Sequence, residues 1–274
     1  MAETKVHPTA IVEPGAALGE GVSIGPFCHV GAQAVLHDRV SLAGHVSIMG
    51  ATTLGEGCTV YPMAVLGAPP QNTKHKGGRT TLEVGRNCTI REGVTMHLGT
   101  DTSRGRTTVG DNGNFLAYTH IAHDCAVGNN VTMANVATLG GHVVVDDFVT
   151  LGGLCAVHQF CHIGHHAFVG GGVMVRGSVI PYGMMGPGGH LQGLNLVGLK
   201  RSGLPRASIH ELRRAYRLIF DRSRTVAENL ALADAQFAGS AVVADIIGFI
   251  RADGHRHLAV PALSSGGGTD DDER

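Results

Sequence analysis

One large apolar residue recurs at every sixth position through most of the chain. From Val109 the count runs through Phe115, Ile121, Val127, Met133, Leu139, Val145, Leu151, Val157, Ile163 and Val169 to Val175. An earlier column runs from Val6 through Val12, Leu18, Ile24, Val30, Leu36, Leu42, Ile48, Leu54 and Val60 to Leu66, and a short one joins Val84, Ile90 and Met96. This period matches neither the 3.6 of a helix nor the 2 of an isolated strand. It predicts a hexapeptide β-helix, in which three short strands make one triangular coil and residues 18 apart stack.

The column breaks twice. The segment GAPPQNTKHKGGRTTLE separates Leu66 from Val84, and a seven-residue excess containing GTDTSRGRT separates Met96 from Val109. Both read as loops thrown out from the prism, near 67–83 and 98–108, where binding groups concentrate on a rigid scaffold. The repeat stops at Ile180-Pro181, and residues 183–198 are Gly-rich and irregular. Helical spacing then takes over. SIHELRRAYRLIF puts Ile209, Leu212, Tyr216 and Ile219 near one face, with Ser208 and Glu211 in a capping-box pattern. TVAENLALADAQF and SAVVADIIGFIRA are two further helix candidates, the last ending near Gly254. The division expected is a β-helical domain over 1–187, an α-helical domain over 188–263 and a disordered tail over 264–274.

Composition supports this outline. Glycine reaches 41 residues, tryptophan is absent and aromatics make up 4%. A prism that turns every few residues needs small turn-formers more than large rings. The net charge of −1 gives no reason to expect nucleic acid, and no apolar run is long enough to cross a membrane. The start, MAETKVHPTA, lacks the apolar core of a signal peptide, so the cytosol is the expected compartment. The six cysteines, Cys28, Cys58, Cys88, Cys125, Cys155 and Cys161, each follow a column residue by four positions. Ala16, Val22 and Val131 fill that position elsewhere, so the cysteines read as small interior hydrophobes. Against the near-neutral background, eight basic residues gather between Lys200 and Arg224: Lys200, Arg201, Arg206, Arg213, Arg214, Arg217, Arg222 and Arg224. They form either a solvated helix face or a dock for an acidic partner.

The register also sorts the 17 histidines. The hexads opening at Met96, Ile121, Leu139 and Val157 share one face of four successive coils once the second loop is discounted. They carry His97, His123, His142 and His158, with His120 at the corner leading into His123. None takes the column or the small interior position, so all five should crowd one outer strip. Such a strip suits metal binding, zinc foremost, or general acid–base catalysis. Asp124, adjoining His123 in HIAHDC, favours the second, because a carboxylate can orient an imidazole and stabilise its cation. Two apparent motifs fall away. GVSIG at 21–25 and VGGGV at 169–173 obey the hexad rule and open no helix, so neither is a nucleophile elbow or a phosphate loop.

HIAHDCAVGNN, GGHVVVDDF, AVHQFCHIG, the early VHPTAIVEPGA and GLKRSGL closely resemble the UDP-N-acetylglucosamine O-acyltransferases, over roughly residues 5–220. The resemblance implies a left-handed parallel β-helix, an exception to the usual crossover hand. It further implies a homotrimer with active sites between subunits, and transfer of a 3-hydroxyacyl chain from acyl carrier protein to the sugar 3-position, the first step of lipid A biosynthesis. Residue by residue, it makes His123 the general base, Asp124 its support and the Gly141 N–H the oxyanion donor, a contribution of about 3 kcal/mol in comparable sites. His120, His142 and His158 would line the sugar and phosphate pocket beside His97 and Lys74, with Gln159, Asn195 and Arg201 toward the nucleotide. Gly171 matches the position that limits acyl length, where a glycine would leave room for a longer chain. Arg206, Arg213, Arg214 and Arg217 would meet the acidic carrier protein. No covalent acyl-enzyme, cofactor or metal is implied.

The chain departs from the family pattern at several positions. Asn72 stands where an Asp near the sugar is usual, Val197 where an acidic nucleotide contact is common, and Ser202 in place of a second Arg. One residue is missing around Gly188–Leu191, which leaves the second acyl-length position, near His190, open. Asn72 raises the choice between a 3-hydroxyl and a 3-amino acceptor, with the hydroxyl adopted. Two other hexapeptide enzymes are the alternatives. A β-helical zinc-dependent carbonic anhydrase would not need the basic helical segment, and the later N-acyltransferase carries an extra N-terminal domain, whereas these hexads begin at Val6.

Overall fold

A computed structural model describes residues 3–252 and 257–262. The hexad column becomes a triangular prism of parallel strands, mostly two residues long, on three faces. The first face starts at Lys5–Val6, the second at Ile11–Val12 and the third at Ala17–Leu18. Strands 18 residues apart pair in register, as in Ile11 with His29 and Ile121 with Leu139. The column residues fill the axis, and Leu36, Ile48, Leu66, Ile90, Phe115 and Met133 are among its fully buried side chains. The fold class is the left-handed parallel β-helix.

All six cysteines are buried in this axis, as the register predicts. Burial pushes the Cys125 thiol up to about 12 and the Cys155 thiol to about 11, so neither offers a thiolate at neutral pH. Both inserted loops are shorter than the sequence suggests. Thr81–Val84 and Arg106–Val109 are third-face strands, paired with each other in register. Leu82 with Val84, and Thr107 with Val109, alternate inward, which extends the column across the expected loop edges. The loops proper are 69–80 and 98–105.

The segment after Pro181 is ordered, contrary to its irregular appearance. Gly183–Gly186 pairs in parallel with Phe168–Val169 and antiparallel with His190–Leu194. The reversal at 187–189 needs Gly188 and Gly189, with φ of 79° and 73°. The helices are α1 (Leu196–Arg201), α2 (Arg206–Ile219), α3 (Val226–Gln236) and α4 (Ala241–Ala252). Ile209, Leu212, Tyr216 and Ile219 all face the core, as their spacing predicts. The capping box is misplaced, however. Pro205 precedes α2, so Ser208 lies inside the helix and Glu211 instead accepts from Ser240 Oγ at 2.7 Å. The box forms at α3, between Thr225 and Glu228. Asn229 is fully buried and donates to the Ile219 and Asp221 carbonyls, satisfying the end of α2. Residues 257–259 return to the prism through Ser178. Gly254 and the tail expected over 264–274 lie outside the described residues.

Candidate active site

The two loops converge on the corner between the second and third faces. The second-face strands Thr95–His97, His120–Ile121, Thr138–Leu139 and Ala156–Val157 pair in succession, as the register requires. They bring His97, His120, His123 and His142 together. The His97 and His120 rings meet edge-on at 5.0 Å, as do His123 and His142 at 5.1 Å. The strip is not an outer one: His97 is 6% exposed and His123 8%. Loop residues Asn72, Thr100, Ser103 and Arg104 roof it. His158, one coil further on, stays exposed, its Nδ1 3.1 Å from the Gln159 carbonyl.

His123 Nδ1 lies 2.9 Å from Asp124 Oδ2. A carboxylate only accepts, so the ring proton sits on Nδ1 and the Nε2 lone pair is free for chemistry. Asn72 agrees with this tautomer. Its Oδ1 accepts from Lys74 N–H at 2.8 Å, which turns Nδ2 toward His123 Nε2 at 3.4 Å. Asp124 is 1% exposed, at a corner with φ 60°. Thr100 grips it at both oxygens, N–H to Oδ1 at 3.0 Å and Oγ1 to Oδ2 at 2.7 Å. Thr107 Oγ1 accepts from the Asp124 N–H at 2.9 Å, and Arg104 donates to its carbonyl. Burial alone would raise the Asp124 carboxyl. The Thr100 hydrogen bonds, His123 and the charge of His142 overcome burial and hold it below the ordinary range.

Burial lowers the neighbouring imidazoles: His97 to about 4, His120 with help from His123, and His142 despite the opposing pull of Asp124. His97, His120 and His142 are thus held toward their neutral forms. Gly141 lies against the His123 ring. A Cβ there would come within 2.5 Å of Cε1 and 2.8 Å of Nε2, so only glycine lets that backbone approach. The Gly141 N–H has no acceptor among the described residues.

The other expected site residues lie elsewhere on the single chain. Lys74 is exposed on the first loop, and Gln159 and Gly171 are exposed along the corners beyond His142. Asn195 and Arg201 line a cleft of about 890 Å³ between the first face and α1, with Phe148, His166, Phe168 and Tyr182. Asn195 also caps α1 through Gly198 N–H and holds the His166 carbonyl. On α2, Arg206, Arg214 and Arg217 are exposed and Arg213 is half-buried, with Arg214 stacked over Phe237 at 5.3 Å. Thr100, Thr107, Ser103 and Arg104 had not been singled out. The signal for them was indirect, because a buried Asp124 demands donors and the inserted loop was the place to seek them. His123, Asp124 and His142 also place one ligand atom each within 4.8 Å of one another, a set able to hold a metal ion.

A relative from Mesorhizobium japonicum, an acyl-(acyl-carrier-protein)–UDP-N-acetylglucosamine O-acyltransferase, is 63% identical over 99% of this chain and 98% of its own. The chain belongs to the UDP-N-acetylglucosamine O-acyltransferase family. The enzyme of the same name from Bartonella henselae is 53% identical over 95% of this chain and 96% of its own. A family model described as UDP N-acetylglucosamine O-acyltransferase, domain 2, matches residues 179–259. Solved UDP-N-acetylglucosamine acyltransferases share the fold. The one from Bacteroides fragilis has a TM-score of 0.89 at 31% identity, covering 94% of this chain and 100% of its own. That from Acinetobacter baumannii has a TM-score of 0.89 at 32% identity, covering 94% and 99%. Among the described residues no helix is long and apolar enough to cross a membrane.

Proposed function

We propose that this enzyme moves a 3-hydroxyacyl chain from acyl carrier protein to the 3-hydroxyl of UDP-N-acetylglucosamine, in the cytoplasm, at the first step of lipid A biosynthesis. The observation that carries the proposal is the 2.9 Å pair of His123 Nδ1 and Asp124 Oδ2, clamped by Thr100, which leaves Nε2 as a base. Nε2 takes the proton of the 3-hydroxyl as that oxygen attacks the thioester carbonyl. The Gly141 N–H, without an internal acceptor, receives the developing oxyanion. Collapse expels the carrier thiolate, which takes the proton back from His123. Asp124 stabilises the transient imidazolium. Neither a cofactor nor a covalent acyl-enzyme is invoked, because the thioester already activates the acyl group.

The assembly we propose is a homotrimer. The corner between the first and second faces exposes apolar residues on several coils: Phe27 60%, Met63 63% and, on three successive coils 18 residues apart, Tyr118 67%, Val136 42% and Leu154 69% exposed. Side chains of this size seldom line an exposed edge unless a partner covers them. With that ridge on a three-fold axis, the first face of one subunit lies opposite the second face of the next. The Asn195–Arg201 cleft of one chain then faces the histidine corner of its neighbour. This supports a nucleotide held by Asn195, Arg201, Gln159, His158 and Lys74, with sugar between His97, His120 and His142. Gly171 bounds the acyl chain, and Arg206, Arg213, Arg214 and Arg217 of the helical segment 188–263 receive the acidic carrier. Mass spectrometry of products from UDP-sugars and a panel of 3-hydroxyacyl carrier proteins tests the reading. A UDP-sugar ester formed by wild type and absent with His123→Ala in a folded trimer is the expected result. Unchanged transfer by His123→Ala would overturn the mechanism.

A further inference from the structure

We propose that His123, Asp124 and His142 form an inhibitory site for a divalent transition metal, zinc foremost. The proposal deepens the acyltransfer reading, since it supplies a way to switch off the same base. His123, Asp124 and His142 each place one ligand atom within 4.8 Å of the other two, and Asp124 Oδ2 lies beside both His123 Nδ1 and His142 Nε2. Two ligands about 2.1 Å from a tetrahedral zinc lie about 3.4 Å apart. The observed separations from Asp124 Oδ2, 2.9 Å to His123 Nδ1 and 3.9 Å to His142 Nε2, straddle that value. Each of these two separations is about half an ångström from the value zinc requires.

Two of the three ligands are already held from outside. Ser103 Oγ lies 3.3 Å from His142 Nδ1, and Thr100 binds both oxygens of Asp124. Outer partners of this kind orient metal ligands and sharpen affinity. The carboxylate is fully buried and the two rings nearly so, with side-chain exposures of 0%, 10% and 17%. A buried carboxylate beside two imidazoles is a donor set that zinc takes, and it leaves the fourth position for water.

The consequence for catalysis follows from the tautomer. Zinc on Nδ1 binds the other tautomer: Nδ1 gives its proton to solvent, Nε2 takes one up from solvent, and the ring stays neutral with its single proton on Nε2. That nitrogen no longer has a lone pair for the sugar hydroxyl. The metal also separates His123 from Asp124. Bound zinc therefore abolishes transfer instead of promoting it.

The test uses the full-length chain freed of metal by chelation. Zinc is titrated by competition with a chromophoric chelator, cobalt(II) spectra report coordination, and each protein's transfer rate is normalised to its own metal-free rate. Wild type is expected to bind one zinc per chain, to show the intense visible bands of tetrahedral cobalt, and to lose activity reversibly on addition of zinc, with recovery by EDTA. His142→Gln and Asp124→Asn should each weaken zinc binding at least about 100-fold, and Thr100→Val, which only supports a ligand, by about 10- to 100-fold. His165→Gln, outside the site, should bind zinc as wild type does. Zinc affinity unchanged in His142→Gln, octahedral cobalt alone, or transfer that rises with zinc would each overturn the proposal. Absence of transfer in the metal-free wild type would instead count against the acyltransferase reading. The binding and cobalt measurements would still decide the metal site.

Discussion

Thr100→Val removes one hydroxyl and almost no volume, so it isolates what the loop does for the catalytic pair. Thr100 is fully buried, and its Oγ1 lies 2.7 Å from Asp124 Oδ2, the same oxygen that faces His123 Nδ1. A hydrogen bond to a charged group contributes about 1.5–3 kcal/mol, and the buried carboxylate would lose one of its donors without water to replace it. The Thr100 N–H to Oδ1 remains, so Asp124 is loosened and not released. The carboxyl should rise toward its ordinary value, since Thr100 is the largest influence opposing burial. If the whole interaction served the transition state, kcat would fall by about 10- to 150-fold at 1.36 kcal/mol per decade. That range is a ceiling, because part of the interaction also steadies the ground state. We expect a drop in kcat within that ceiling and of at least about fivefold, with KM for the UDP-sugar nearly unchanged and with Thr100→Ser restoring the rate. Steady-state kinetics on folded protein, checked by circular dichroism, measure this. A kcat within twofold of wild type for Thr100→Val would refute the claim that this hydroxyl positions the pair.

Three further outcomes follow from the same geometry. Thr225→Ala should destabilise α3 by about 1 kcal/mol, whereas Ser208→Ala should change urea unfolding very little, because only the first residue caps a helix. His97 gives a pH dependence. Its folded value of about 4 lies below the unfolded 6.5, so the unfolded chain takes up the proton first and stability falls as pH drops from about 6.5 to about 4, by up to about 3 kcal/mol per chain; a His97→Gln variant should flatten that acid limb, and an unchanged limb would refute the assignment. Leu154→Glu puts a charge on the apolar ridge and should yield monomers by light scattering, with transfer lost alongside, if that corner is the subunit interface.

Much of the fold was legible because a coil repeats one packing problem. The column residues had to be apolar to fill the axis, and the cysteines could be placed there by position alone, against the temptation of a metal or disulfide reading. The alternation of Leu82 with Val84 and of Thr107 with Val109 was also present, but glycines and charges around it masked two strands as loop. The hairpin after Pro181 was hidden for the opposite reason, since its glycines serve the turn and the narrow strand and spell no period. Ser208 showed the limit of a motif: Pro205 sets the start of α2 three residues earlier, so the pattern falls inside the helix. In the site, the stacking of His97, His123 and His142 follows from the register. The depth at which they lie does not, because no periodicity says that two loops close over a strip. Thr100 is the clearest case. Nothing in GTDTSRGRT marks one threonine above another until Asp124 is known to be buried.

The corner residues add a step that neither the column nor the loops contain. Among the described residues, sixteen that are not glycine hold the left-handed conformation, with φ between 55° and 67°. Asn87, Asn112 and Asn130 fit that region cheaply, but Tyr118, Leu154, Phe160 and above all the β-branched Val136 do not. Such strain persists where something outside the turn holds it, and it marks places where a side chain is wanted more than an easy backbone. Each corner wants something different. On one, Phe27, Met63, Tyr118, Val136 and Leu154 turn outward as an apolar ridge. On the next, Asp124 and His142 turn toward the reacting corner, with Phe160 stacked on His142 at 4.5 Å. On the third, His166 and Tyr182 stack at 5.3 Å over the start of the cleft that Asn195 and Arg201 line. The coil thus separates its tasks by corner: packing is left to the strands, and the left-handed position one residue before each small interior side chain is free to carry association, catalysis or binding. A six-residue repeat suffices to build the prism, and the residues it least easily accommodates mark the three corners on which the ridge, the Asp124–His142 pair and the cleft stand.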